Sequence, residues 1–307
     1  MTDLVAPRFE GVVPLRDGRR EGFAEFGDPA GRPVVWLHGT PGARRQIPDE
    51  ARVYAAANGI RLLGIDRPGV GLSTPYVYPQ IRDFASDLAT IADALDIEDM
   101  AIVGLSGGGP FALAAGAVLG TRVRAVGVLG GVAPTKGPDS IDGGLVAVGV
   151  RCAPLLRVGR LPLSLSLAAL LRTLGPLASP LVDLYARVSP SGDRRLLNRA
   201  EIKAMFIDDL FGLTRHRFEG PIADVIAFTE DWGFRLEEVR TPVVWWHGDA
   251  DHIVPFSHGV HMTERLPHSQ LRVLSGESHL AGLGIAREIL ETMLEMWDHG
   301  ITVCAVG

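Results

Sequence analysis

Two moderately polar runs open the chain, RFEGVVP at 8–14 and REGFAEF at 20–26, and the turn residues RDGR between them predict a pair of strands. PVVWLHGTPG follows, an apolar run of strand length that ends in two glycines and two prolines and so predicts a buried strand opening into a loop rich in exposed backbone. DEARVYAAANG predicts a helix ending at Gly59, and IRLLGIDRPGVGLS another buried strand with a glycine-rich turn behind it. Over 80–95, Ile81, Phe84, Leu88, Ile91 and Leu95 fall on one helical face. MAIVG, GPFALAAGAVLG and VRAVGVLGG continue the pattern as strand, small-residue helix and strand. Alternation of this kind predicts a mostly parallel sheet covered on both faces.

Between 135 and 235 the alternation stops. No strand pattern occurs there, only helix-like pieces separated by GP, LP and SP, among them MFIDDLFG at 205–212. The rhythm resumes with TPVVWWHGDAD, PFSHGVHMTERLP and LRVLSGESH, and closes on a helix from about 284 to 298. The middle stretch therefore reads as an insertion into one sheet-based domain.

Composition narrows the function classes. With 307 residues, 47% of them hydrophobic, the chain can bury a large core. A formal net charge of −6 and scattered arginines, with Lys136 and Lys203 the only lysines, argue against nucleic acid as a partner. The start, MTDLVAPRFEG, lacks a basic segment followed by an apolar one, so a cytoplasmic location is expected. Cys152 and Cys304 have no metal or redox spacing and are expected to be free thiols, Cys152 buried. The most apolar region, 143–187, is interrupted by Arg151, Arg157, Arg160, Arg172 and Asp183, so it is expected to form an apolar lid that could touch lipid surfaces and not a transmembrane segment.

The chemistry centres on Gly104, Leu105, Ser106, Gly107 and Gly108, a G-x-S-x-G pattern between the apolar AIV and a helix. A serine on a tight strand-to-helix turn needs small neighbours, and the helix N-terminus then points at any anion formed there. Serine is a poor nucleophile until a base takes its proton. Among nine histidines, His279 stands apart because it ends the short loop GESH after a strand, where open parallel sheets place their sites. His216 is assigned to the insertion surface, His258, His261 and His268 to a polar helix or its vicinity, His299 to the C-terminal tail and His252 to a supporting role. WWHGDADHIVP offers Asp249 or Asp251 as the carboxylate that orients the imidazole, and this loop alone leaves the choice open. The amides of Thr40, in HGTPG, and of Gly107 are the expected donors to an oxyanion. The chain order serine, aspartate, histidine is that of the α/β-hydrolase triad.

On these residues the chain resembles the α/β-hydrolase superfamily over nearly its whole length. HGTPG is similar to the family's oxyanion loop, and GIDRPGVGLS to the segment in which Asp66, Arg67 and Gly69 shape a loop beside the site. GLSGGG resembles the nucleophile elbow, HGDADHIVP the acid loop, and GESH the base loop. The resemblance selects Asp251 over Asp249. It implies a mostly parallel eight-stranded sheet flanked by helices, with 1–134 and 236–307 forming the core domain and 135–235 a helical cap closing over the serine.

What the resemblance implies is a capped serine hydrolase with an esterase-like triad: Ser106 as nucleophile, His279 as base, Asp251 as orienting acid, and Thr40 and Gly107 as the oxyanion hole. It needs no metal or organic cofactor. Related epoxide hydrolases and haloalkane dehalogenases carry aspartate at the elbow, so Ser106 speaks against those reactions. Leu155, Leu156, Leu161, Leu163, Leu167, Leu170 and Leu171 suggest a small apolar acyl substrate, or serve only to pack the cap. Alternatives are carbon–carbon bond hydrolysis, which needs contacts for a second carboxylate, and aminopeptidase action, for which Asp208 and Asp209 could hold an ammonium unless they form a solvated helix face. A non-catalytic ligand-binding member of the fold is the remaining one. A homodimer through the cap or the final helix is a further expectation.

Overall fold

A computed structural model of the protein describes residues 3–213 and 218–299. His216, Cys304 and the apolar tail ITVCAVG lie outside the described residues. The predicted strands all form: β1 (Phe9–Pro14), β2 (Arg20–Gly27), β3 (Arg32–Leu37), β4 (Ile60–Ile65), β5 (Met100–Leu105), β6 (Val123–Leu129), β7 (Val243–Gly248) and β8 (Ser269–Leu274). They make one sheet in the order β1-β2-β4-β3-β5-β6-β7-β8. β1 and β2 pair antiparallel and β2 joins β4 antiparallel, while every pairing from β4 through β8 is parallel.

The two-residue period of the strands builds two cores. On β5 and β6, Ile102, Val126 and Val128 point to one face, where Phe84, Leu88 and Ile91 of α2 (Phe84–Ala94) and Phe111 and Leu113 of α3 (Gly109–Leu119) cover them. Ala101, Val103 and Leu129 point to the other, against α1 (Asp49–Ala57) and Ile289, Leu290 and Met293 of α10 (Ala286–His299). Both faces of the central strands are sealed, so β3 to β7 are apolar along most of their length, while the edge strand β8 is only half-buried and half polar. The apolar face of α10 is therefore spent on the core. α9 (Phe256–Arg265) joins the first face, and its His258, read from sequence as part of a polar helix, is fully buried, which lowers its basicity.

Between β6 and β7 the chain forms helices without a strand: α4 (Gly144–Leu174), α5 (Ala178–Val188), α6 (Ser191–Leu197), α7 (Ala200–Leu213) and α8 (Glu219–Phe228). Two expectations for this insertion fail. Cys152 is exposed, because α4 packs through the small residues Ala153, Ser164 and Ala168 and turns its neighbouring positions outward. Asp209 is buried and not solvated: its carboxylate accepts from the Ala43 N–H at 2.9 and 3.1 Å, and only Asp208, paired with Arg45 at 3.3 Å, keeps a half-exposed place.

One acid is buried without a hydrogen bond. Both oxygens of Glu21 on β2 lack a hydrogen bond, since the Ser73 hydroxyl gives its proton to the Asp66 carbonyl and the Arg19 guanidinium stands 3.9 Å away. Burial pushes the Glu21 carboxyl well above the ordinary carboxylate range. The folded chain thus holds a proton at Glu21 that the unfolded chain releases near pH ~4.3, and this contribution to stability declines as pH rises above that value. Glu21→Gln copies the protonated shape. The variant is expected to match the parent's melting temperature near pH 4 and to exceed it increasingly toward pH 8, in thermal unfolding followed across that range.

Candidate active site

The site lies at the C-terminal ends of the parallel strands. β5 ends at Leu105 and α3 begins at Gly109, so Ser106 sits on the turn between them with φ at 49°, a left-handed value costly for a residue with a side chain. The turn closes because its neighbours are bare. A Cβ on Gly104 would lie 2.7 Å from the Gly108 carbonyl oxygen, and one on Gly108 would lie 2.4 Å from that of Leu37.

The loop after β8 brings His279 to this serine. His279 Nε2 is 2.9 Å from Ser106 Oγ, and its Nδ1 is 2.8 Å from Asp251 Oδ2, on the loop after β7. Asp249, the other carboxylate of that loop, accepts from the Gly276 N–H at 2.7 Å and does not face the imidazole. Asp251 Oδ1 accepts from the amides of Ile253 and Val254 at 2.8 and 3.0 Å. Burial alone would raise this carboxyl, but hydrogen bonds from His247 and His279 hold it well below the usual range, so it stays a carboxylate.

His247 is a contact that the sequence reading passed over. The indole of Trp245 can only donate, and it donates to His247 Nδ1 at 3.1 Å, which puts the His247 proton on Nε2. That proton faces the Val254 carbonyl at 2.9 Å and Asp251 Oδ2 at 3.2 Å. Asp251 Oδ2 is thus approached by two imidazoles, His279 from the site and His247 from behind. The i, i+4 spacing within WWHGDAD was the available signal. His252, by contrast, is exposed and bonds Ser278 Oγ at 3.0 Å.

The third loop follows β3. Thr40 and Gly107 are in contact there, since a Cβ on Gly107 would fall 2.3 Å from Thr40 Oγ1. Thr40 Oγ1 donates to Asp224 Oδ2 at 2.7 Å and accepts from Arg67 Nη2 at 2.9 Å. Arg67 is fully buried, donates to the carbonyls of His38 and Gly39, and pairs with Asp224 at 2.7 Å. Its backbone N–H donates to His38 Nε2 at 3.2 Å, so the His38 proton is on Nδ1, facing the Gly39 carbonyl. Burial, with the Arg67 charge beside it, keeps His38 neutral. Asp224 belongs to α8 of the insertion, and the sequence hinted at it as the single acid within PIADVIAF.

Beside Ser106 is a cavity of about 170 Å³ whose wall is apolar apart from Thr40, Ser106 and Thr229. Gly107, Val132, Ile253 and Val254 come from the core, and Gly149, Val225 and Phe228 from α4 and α8. None of the seven insertion leucines considered from sequence lines it; Leu155, Leu161, Leu163 and Leu170 are exposed instead. Asp208 and Asp209 line a different cavity, with Arg44 and Arg45. Among the described residues no cluster of histidine, cysteine, aspartate and glutamate could hold a metal ion.

Residues 32–148 match the family model described as alpha/beta hydrolase fold. The sheet order, the turn at Ser106 and this match agree. The chain has the α/β-hydrolase fold. It is 29% identical over 289 residues, 92% of its length and 91% of the relative's, to a 2-hydroxy-6-oxononadienedioate/2-hydroxy-6-oxononatrienedioate hydrolase of Cupriavidus pinatubonensis. It is 32% identical to a proline iminopeptidase of Xylella fastidiosa over 113 residues, 36% of each chain. Among solved structures, an esterase from Rhodococcus sp. aligns with TM-score 0.68 and 20% identity, over 94% of this chain and 99% of that one.

The Arg67–Asp224 pair makes a prediction. Asp224→Ala leaves a fully buried guanidinium without a counter-charge and is expected to cost about 3–5 kcal/mol. Urea unfolding of the variant should show that loss, and Asp224→Asn, which keeps one acceptor oxygen for Thr40 and Arg67 Nη2, should lose less.

Proposed function

We propose that the protein is a serine hydrolase that cleaves a carboxylic ester of a small, largely apolar molecule through an acyl-enzyme. The observation carrying this reading is the continuous chain from Ser106 Oγ through His279 to Asp251, at 2.9 and 2.8 Å, opening on an apolar cavity. Ser106 Oγ attacks the acyl carbonyl carbon as His279 Nε2 takes its proton. Asp251, kept ionised, holds the Nδ1–H tautomer and stabilises the imidazolium that forms. The oxyanion is received by the Thr40 and Gly107 amides, with the Thr40 side chain pinned between Arg67 and Asp224 so that its loop does not swing. The alcohol leaves with the proton from Nε2. A water deprotonated by the same nitrogen then attacks the acyl carbon, and the acid departs as Ser106 Oγ recovers a proton.

The insertion acts as the cap of this site. It walls the cavity through Gly149, Val225 and Phe228, and about 170 Å³ suits a short acyl or alcohol group. Among the described lining residues no cation is present to receive the second carboxylate of a dioate, and no carboxylate to receive an ammonium. Arg67 is already neutralised by Asp224, and Asp208 and Asp209 lie elsewhere. The ester reading is preferred on these grounds over carbon–carbon bond hydrolysis and aminopeptidase action.

A fluorophosphonate probe on the native protein, with the adduct located by peptide mass analysis, is expected to mark Ser106. Labelling should vanish in Ser106→Ala and fall by about 10³-fold or more in rate in His279→Ala. A folded native protein that takes no label at Ser106 overturns the assignment and leaves a binding-only role for the cavity.

A further inference from the structure

An ordinary amphipathic helix turns its large apolar residues inward, and α4 does the reverse. Its buried positions hold the small Ala153, Ser164 and Ala168, while Leu155 is 74% and Val158 88% exposed. Val148, Leu155, Val158, Pro162, Leu165 and Ala169 recur at spacings of three and four, so they form a single outward stripe, with Arg151 and Arg172 in the same stripe near its two ends. The stripe has a companion on the segment that follows, where Leu177, Leu181, Leu184 and Val188 are exposed at the same spacing.

Charge decides what fits this face. Residues 144–188 carry five arginines and one acid, Asp183, within a chain of net charge −6. Asp183 is paired with Lys203, and Arg157 is drawn to Glu230, so the face stays positive around its apolar stripe, with Arg151 and Arg187 exposed. A second copy brought face to face would set arginines against arginines, whereas a surface of apolar chains topped by negative headgroups satisfies both features at once.

By length and composition the helical run 147–188 could cross a membrane, and 11% of its most apolar window is buried. Two features oppose a crossing. Pro154, Arg157, Arg160 and Pro162 fall within the helix, and α4 packs along α8, which is bound to the core through Asp224 and Arg67. We propose that the outward face of α4 and α5 docks the protein on an anionic lipid bilayer, lying in its interface without spanning it. The same α4 supplies Gly149 to the cavity wall from its opposite, inward side, so docking leaves that cavity one helix diameter, roughly 10 Å, behind the lipid surface. The inference stands apart from the hydrolase reading, since binding needs no turnover.

The test is flotation of the full chain with vesicles of phosphatidylcholine alone and with vesicles in which about a third of the lipid is phosphatidylglycerol. Flotation is expected with the anionic vesicles, weaker at raised salt, and reduced about tenfold or more in the double variant Leu155→Asp, Val158→Asp. Circular dichroism melting of that variant should match the parent, because both side chains face solvent. Absence of flotation with anionic vesicles overturns the proposal, as does flotation that the two aspartates leave unchanged. A sedimenting dimer that the aspartates dissociate would make a second copy the occupant. Protein that stays with the vesicles after alkaline carbonate extraction would make the helix a span.

Discussion

Three carboxylates carried inward by the insertion hold the loops on which the site is built. Asp224 takes the Thr40 hydroxyl and the Arg67 guanidinium, Asp209 takes the Ala43 amide, and Asp193 of α6 takes the Leu280 amide at 2.9 Å, one residue beyond His279. Each carboxylate is nearly or fully buried, so a misplaced partner would leave a polar group without water or a bond. The helices between β6 and β7 are therefore tied to the loop after β3 and to the loop after β8 by directional contacts. Apolar packing alone would let them slide.

The same economy of donors and acceptors governs the polar line behind Ser106. The Trp245 indole fixes the His247 tautomer, His247 and two amides fill the Asp251 carboxylate, and Asp251 fixes the Nδ1–H of His279. Each hydrogen position follows from the one before it. The line begins at a residue that can only donate and ends at a hydroxyl that can still give its proton away.

The core was legible because its pattern is redundant. Every strand carries an apolar run or alternation, most turns have a glycine or proline, and the serine, aspartate and histidine loops each follow a strand. Ser106 and His279 could be found from that placement, while Asp251 needed the family resemblance, since Asp249 sits in the same loop with equal local credentials. The insertion was legible only as helix. Its contacts with the core are single hydrogen bonds between positions far apart in sequence, such as Thr40 with Asp224, and no periodicity encodes them. Cys152 was misplaced for a related reason: an apolar helix is expected to face inward, and α4 presents its small side chains inward. Asp209 was misread as solvent-facing because a carboxylate near a helix end has no local mark of burial.

The position of the insertion in the chain also orders events during synthesis. The serine turn and the loop after β3 leave the ribosome before the helices of 144–228, and Asp251 and His279 follow them. A nascent chain ending between the end of α4 and the start of β7 has an exposed β6 edge, a long apolar helix already made, and neither Asp251 nor His279. The growing polypeptide therefore passes through an interval in which its stickiest segment is complete and Ser106 has neither the imidazole nor the carboxylate beside it. The hydrogen-bonded line from Ser106 through His279 to Asp251 can form only once the last two strands have closed the sheet.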